Sequence, residues 1–114
     1  MSTWPLTPND AQRGIEDMVQ RIVRGFDPDQ VILFGSYARG EAGADSDVDL
    51  LVVLPVVGSR RQLAIAIGRA LAGRVMPVDI MVATPDEVAQ QRHLVGTVIR
   101  PALEEGRTLY RRVA

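Results

Sequence analysis

Apolar residues near the start of the chain recur at helical spacing. Ile15, Met18, Val19, Ile22, Val23 and Phe26 fall on one face, with polar residues between them. The stretch opens on Thr7-Pro8-Asn9-Asp10, where Thr7 can cap, Pro8 suits a first turn and Asp10 complements the positive end of the helix dipole. Gly25 and Asp27-Pro28-Asp29 end the helix. The pattern then changes to short runs rich in branched residues. Gln30 to Phe34 predicts a strand, Ser36 to Arg39 a brief helical turn, and Gly40 to Ser46 a polar loop. Asp47 to Leu54 predicts a second strand, whose continuous apolar half points to burial on both faces.

Helical spacing returns at Arg60 to about Ala72, with Ser59 as cap, Leu63, Ile67, Ala70 and Leu71 inward, and Gly73 as stop. Val78 to Ala83 predicts a third strand. Thr84-Pro85-Asp86-Glu87 carries a capping-box signature, in which Thr and Glu side chains exchange bonds with each other's backbone N–H. The helix it opens should break near His93 to Gly96. Val95, Val98, Ile99, Ala102 and Leu103 continue an apolar stripe, with a kink expected at Pro101 and an end at Gly106. Thr108 to Arg111 adds an edge strand. The alternation predicts an α/β (α+β) chain: a small mixed β-sheet of three to four strands flanked by helices.

Composition narrows the classes open to it. At 114 residues and 46% hydrophobic, the chain supports one core, so a single domain over residues 1–114 is expected. Thirteen basic and fourteen acidic residues give a net charge of −1, which supplies no general field for nucleic acid. Nucleic acid is therefore not expected as the direct substrate. Every basic residue is arginine, which excludes a Schiff-base lysine and the lysine of a P-loop. Cysteine is absent, so disulfides and thiolate metal sites are excluded. The start of the chain has no basic, apolar leader, and no run nears the ~18 apolar residues of a membrane span. A soluble cytoplasmic protein without a membrane role is expected.

The chemistry concentrates in Gly35 to Asp49, GSYARGEAGADSDVD. Asp47 and Asp49 flank Val48 at the mouth of a strand, so both carboxylates point to one side and can converge on one ion or a close pair. Asp79 has the same apolar surroundings on another strand. If the strands are neighbours, three acids meet, and their repulsion calls for divalent cations. Magnesium suits hard oxygen ligands and shares them with substrate phosphates. Gly35 lets a phosphate approach the backbone, Ser36 offers a hydroxyl and an N–H, and Arg39 can reach phosphate or base.

Other readings share these letters. A calcium loop would place glycine where Leu50 stands and glutamate where Val56 stands. An aspartyl-phosphate phosphatase carries its two acids at the exit of a strand, not the entrance. Taken alone, Ser36 reads as a helix cap and Arg39 as a surface arginine. His93, Arg60-Arg61 and Arg111-Arg112 read as solvated positions, and Tyr37 and Tyr110 as packing residues, with Tyr37 near enough to the motif to touch a base. Trp4 could anchor the amino terminus or a dimer contact. For Asp79 an acid in an apolar strand is costly without a partner.

Gly35-Ser36, ten residues, Asp47-x-Asp49 and the later strand acid Asp79 resemble the minimal nucleotidyltransferases of the polymerase-beta-like superfamily. The ending from Leu103 to Tyr110 resembles that group's tail, and the likeness covers nearly the whole chain; Pro101 departs from it. The resemblance implies the nucleotidyltransferase fold and transfer of a nucleoside monophosphate, AMP from ATP, to a hydroxyl. It implies two magnesium ions, with Asp47 and Asp49 bridging both and Asp79 holding one beside the acceptor and helping to deprotonate it. Gly35 and Ser36 would seat the β and γ phosphates. Members of this group commonly act as antitoxins beside a HEPN-domain ribonuclease, some by modifying a tyrosine of that toxin. The expected partner is therefore a HEPN toxin. A non-catalytic antitoxin that only binds the toxin, and a small-molecule nucleotidyltransferase completed by another subunit, remain alternatives. The oligomeric state is open.

Overall fold

The computed structural model describes residues 8–43, 46–73, 76–91 and 99–113. The elements run α1 (Pro8–Phe26), β1 (Gln30–Phe34), α2 (Ser36–Arg39), β2 (Val48–Val53), α3 (Arg60–Ala70), β3 (Val78–Ala83), α4 (Pro85–Gln91), α5 (Ile99–Glu105) and β4 (Arg107–Arg111). The Thr7 cap, the break near His93 to Gly96, and Trp4 lie outside the described residues. Pro101 lies within the described part of α5.

The caps form as the sequence predicts. Ser59 accepts a bond from the Gln62 N–H at 3.2 Å. Thr84 Oγ1 accepts from the Glu87 N–H at 3.1 Å, and Glu87 Oε1 accepts from the Thr84 N–H at 2.9 Å, which closes the capping box. Arg60 grips the same Glu87 with two bonds of 2.8 and 2.7 Å and also donates to the Val82 carbonyl at 3.1 Å. That guanidinium straps the start of α3 to the start of α4 across strand β3. The pairing of Arg60 was not visible in the sequence, where it read as a solvated arginine. Arg112 is exposed, as the sequence suggested, and pairs at the surface with Asp27 at 3.3 Å and Asp29 at 3.2 Å.

The four strands form one sheet in the order β3-β2-β1-β4. β1 pairs antiparallel with β2 and with β4, whereas β2 and β3 run parallel, so the sheet is mixed. Side-chain alternation divides two cores between its faces. On one side Val31, Leu33, Val48, Leu50 and Val52 pack with Met18 and Ile22 of α1 and Ile67 of α3. On the other, Ile32, Leu51 and Val53 pack with Val88 of α4 and Ala102 of α5. This two-sided covering explains the unbroken apolar run of β2, a central strand whose residues from Leu50 to Val53 are all buried. Fully burying each such side chain is worth about 1.5–3 kcal/mol. The sheet is thereby a rigid platform, and its polar departures stand at the end where β1 stops and β2 and β3 begin.

Candidate active site

β1 ends at Phe34, and Gly35 turns the chain into the single helical turn of α2. Gly35 has φ 74° and ψ −156°, a backbone conformation that is essentially restricted to glycine. The Ala38 and Arg39 amides both donate to the Gly35 carbonyl at 3.1 Å, and Gly40 closes the turn with φ 74°. Gly35 occupies the cap position and Ser36 is the first helical residue. The reading of Ser36 as a mere cap is thus not the one the fold adopts.

Asp49 lies on β2 opposite Phe34 of β1 and in register with Asp79 of β3. Neighbouring strands are about 4.8 Å apart, so the Asp49 and Asp79 side chains stand side by side. Both have the parity of Leu51 and Met81 and therefore share the face covered by α4 and α5. Asp47 precedes the first residue of β2, one position before the strand rather than within it. The Asp49 carboxylate leans over Gly35. A methyl group at Gly35 would overlap Asp49 Oδ2 and come within 3.1 Å of Cγ. The fold therefore brings the glycine turn and the three aspartates to one place.

The electrostatics agree with that placement. Partial burial pushes the Asp49 carboxyl above its usual range, and the negative charges of Asp79 and Asp47 push it further, against a smaller opposing pull from Arg39. Asp47 and Asp79 are exposed, and Asp49 is half-buried. The expectation that Asp79 needs a partner because of an apolar setting is corrected by this exposure, since water reaches its charge. At Asp49 partial burial is the larger effect, and the neighbouring charges of Asp79 and Asp47 add to it.

The hard oxygen donors of Asp47, Asp49 and Asp79 fit a divalent cation such as magnesium, and their mutual repulsion is what such an ion would relieve. Among the described residues no three acidic, histidine or cysteine side chains already converge to cage an ion. The aspartates would supply only part of a coordination shell, with substrate phosphates completing it.

Arg39 leaves the end of α2 and pairs with two carboxylates. Its Nε meets Glu41 Oε1 at 2.9 Å and its Nη1 meets Glu105 Oε2 at 3.4 Å. The hydrogen bond that Arg39 donates to Glu41 is the leading reason that its guanidinium is held still more firmly cationic. Sequence reading singled out Arg39 but neither glutamate. Glu41 could have been noticed two residues away, whereas only the fold brings Glu105 near.

Known proteins share this architecture and sequence. The chain belongs to the nucleotidyltransferase domain family, whose model matches residues 13–108. A protein of Methanocaldococcus jannaschii assigned as a protein adenylyltransferase, MJ1305, is 45% identical over 49 residues, covering 41% of this chain. The match spans 33% of that relative's length. A Sulfolobus solfataricus crystal structure assigned as a nucleotidyltransferase superposes with a TM-score of 0.61 at 19% identity, covering 96% of this chain and 94% of that one. A toxin–antitoxin crystal structure with AMP-PNP superposes with a TM-score of 0.53 at 22% identity, covering 85% of this chain and 73% of that one. At those identities the two structures establish the nucleotidyltransferase fold. Among the described residues no helix is long and apolar enough to cross a membrane.

Proposed function

We propose that this chain is a single-domain cytoplasmic antitoxin that transfers AMP from ATP to a hydroxyl, a tyrosine of a cognate HEPN-domain toxin, in a magnesium-dependent reaction. The observation that carries this reading is the in-register pair Asp49 and Asp79, with Asp49 resting over Gly35 at the phosphate-type turn. Support also comes from the protein adenylyltransferase assignment of the archaeal relative and from the AMP-PNP in the toxin–antitoxin neighbour.

In this mechanism Gly35 gives the β and γ phosphates close access to the backbone, and the Ser36 hydroxyl donates to a phosphate oxygen. Arg39 adds positive charge at the same end. Asp47, Asp49 and Asp79 would hold two magnesium ions, which supply charge neutralisation for the triphosphate and the leaving pyrophosphate. Asp79 accepts the proton of the incoming hydroxyl. That oxygen forms a bond to the α-phosphorus as the bond from the α-phosphorus to the bridging oxygen breaks. Pyrophosphate leaves with the electron pair of the broken bond. Exposure of Asp79 suits an acceptor that arrives on another protein.

The test is incubation with α-labelled ATP, magnesium and the product of a neighbouring HEPN gene. Label should appear on the toxin, vanish with Asp47→Asn plus Asp49→Asn, and vanish when the acceptor tyrosine becomes phenylalanine. Folded proteins that never transfer label would overturn the catalytic reading. Neutralisation that survives loss of both aspartates would favour an antitoxin that acts by binding alone.

A further inference from the structure

Arg39 sits among three acidic side chains, Glu41, Glu105 and Asp49. Its two ion pairs are exposed, with side-chain accessibilities of 42% for Arg39, 66% for Glu41 and 50% for Glu105. Pairs this open add little to stability. Their arrangement is nevertheless specific. Glu41 follows in the adjacent loop, whereas Glu105 lies 66 residues away in sequence, at the last position of α5.

The backbone next to Glu105 is unusually well anchored. Gly106 packs so closely on β1 that a methyl group there would overlap the Ala102 carbonyl and come within 2.7 Å of Ile32 Cγ2 and 2.9 Å of the Leu33 carbonyl. The Gly106 N–H also donates to Ala102 at 2.9 Å. Glu105 therefore projects from a fixed point on the sheet, while Arg39 ends a single helical turn. Guanidinium is a planar fork with five donors. The pairs to Glu41 and Glu105 use Nε and Nη1, and neither engages Nη2.

We infer that Glu105 is a positioning residue for nucleotide binding: paired with Arg39 from its anchored place at the end of α5, and aided by Glu41, it holds the guanidinium beside the Gly35 turn with Nη2 available to a phosphate oxygen of the incoming nucleoside triphosphate. This inference rests on the nucleotidyltransfer reading above. Two opposing effects follow from it. The negative charge of Glu105 disfavours a triphosphate nearby, and the orientation it imposes on Arg39 favours one. The inference requires orientation to win.

The experiment titrates magnesium AMP-PNP calorimetrically into the wild type, Glu105→Gln, Glu105→Asp, Arg39→Ala and the Arg39→Ala/Glu105→Gln double variant, with melting temperatures measured in parallel. Glu105→Gln should weaken binding about three- to fivefold, the upper part of what an exposed ion pair supplies, with melting unchanged within about 2 °C. Glu105→Asp retains the charge and should bind within about twofold of wild type. On the Arg39→Ala background the Gln substitution should have no further effect, because its action passes through Arg39. Binding by Glu105→Gln that equals or exceeds the wild type, or a loss that persists undiminished without Arg39, overturns the inference and leaves the proposed function standing. A folded wild type that binds no AMP-PNP overturns both.

Discussion

Gly35→Ala separates two effects that meet at one residue. The first is backbone strain. At φ 74° and ψ −156° an L side chain is in an essentially glycine-only region, which costs about 1–3 kcal/mol. At about 4 °C per kcal/mol for a domain of this size, the melting temperature should fall by about 4–12 °C. The second is steric. The new methyl group would overlap Asp49 Oδ2 and press on Cγ at 3.1 Å. Because that carboxylate is the free end of a side chain, it can swing aside at little cost to folding, but it then leaves Asp79. A misplacement of about 1 Å in such a site costs on the order of 100-fold in rate.

The assay is paired: thermal melts of wild type and variant, and calorimetric titration with magnesium AMP-PNP. The variant should melt lower and bind much more weakly. In an Asp49→Ala background the nearest remaining Asp49 atom is Cβ, at 3.4 Å from the new methyl group, an ordinary contact. The melting loss caused by Gly35→Ala should then stay close to its value in the Asp49 protein, because backbone strain accounts for nearly all of it. A Gly35→Ala protein that melts within about 1 °C of wild type and binds AMP-PNP normally would refute the placement of Asp49 over the turn.

Gly106→Ala should destabilise by about 1–3 kcal/mol, because two of the three atoms it meets are backbone carbonyl oxygens that cannot move aside, and a denaturant titration checks it. For Asp49, whose folded carboxyl titrates above its unfolded range, the native state binds the proton more tightly, so this group's contribution to stability falls as pH rises through that interval. Asp49→Asn should therefore melt above wild type at neutral pH without magnesium, with the gap closing as pH falls through the carboxylate range and with magnesium raising only the wild type; melts across pH with chelator and with magnesium test both. Thr84→Ala should cost about 1 kcal/mol in a urea titration through loss of the capping box. The Glu87 carboxyl is held below its usual range, chiefly by Arg60 and then by the Thr84 backbone, so its stabilising effect is present above the unfolded range and lost as pH falls through the lowered folded value. The stability advantage of wild type over Glu87→Gln should vanish across that acid interval in melts at stepped pH.

Local physics was legible in the sequence wherever a residue's partners are its own neighbours. The period of Ile15 to Phe26 marks α1, the Thr84 and Glu87 pair marks the start of α4, and the unbroken run Leu50 to Val53 marks a strand covered on both sides. Alternation set Asp47 and Asp49 to one side of a strand, although Asp47 stands just before β2, and the Gly-Ser pair with the spaced acids was enough to name the family. Strand order was a different matter. Whether β3 lies beside β2, and in which register, depends on how α3 returns the chain, and a shift of one residue would have turned Asp79 to the other face. Tertiary structure alone decided that Asp79 stands level with Asp49, that the Asp49 carboxylate rests on Gly35, and that Arg39 meets Glu105 from the far end of the chain. Side-chain type and spacing are written along the chain, whereas the crowding of charges that gives the site its chemistry exists only once distant segments share a sheet.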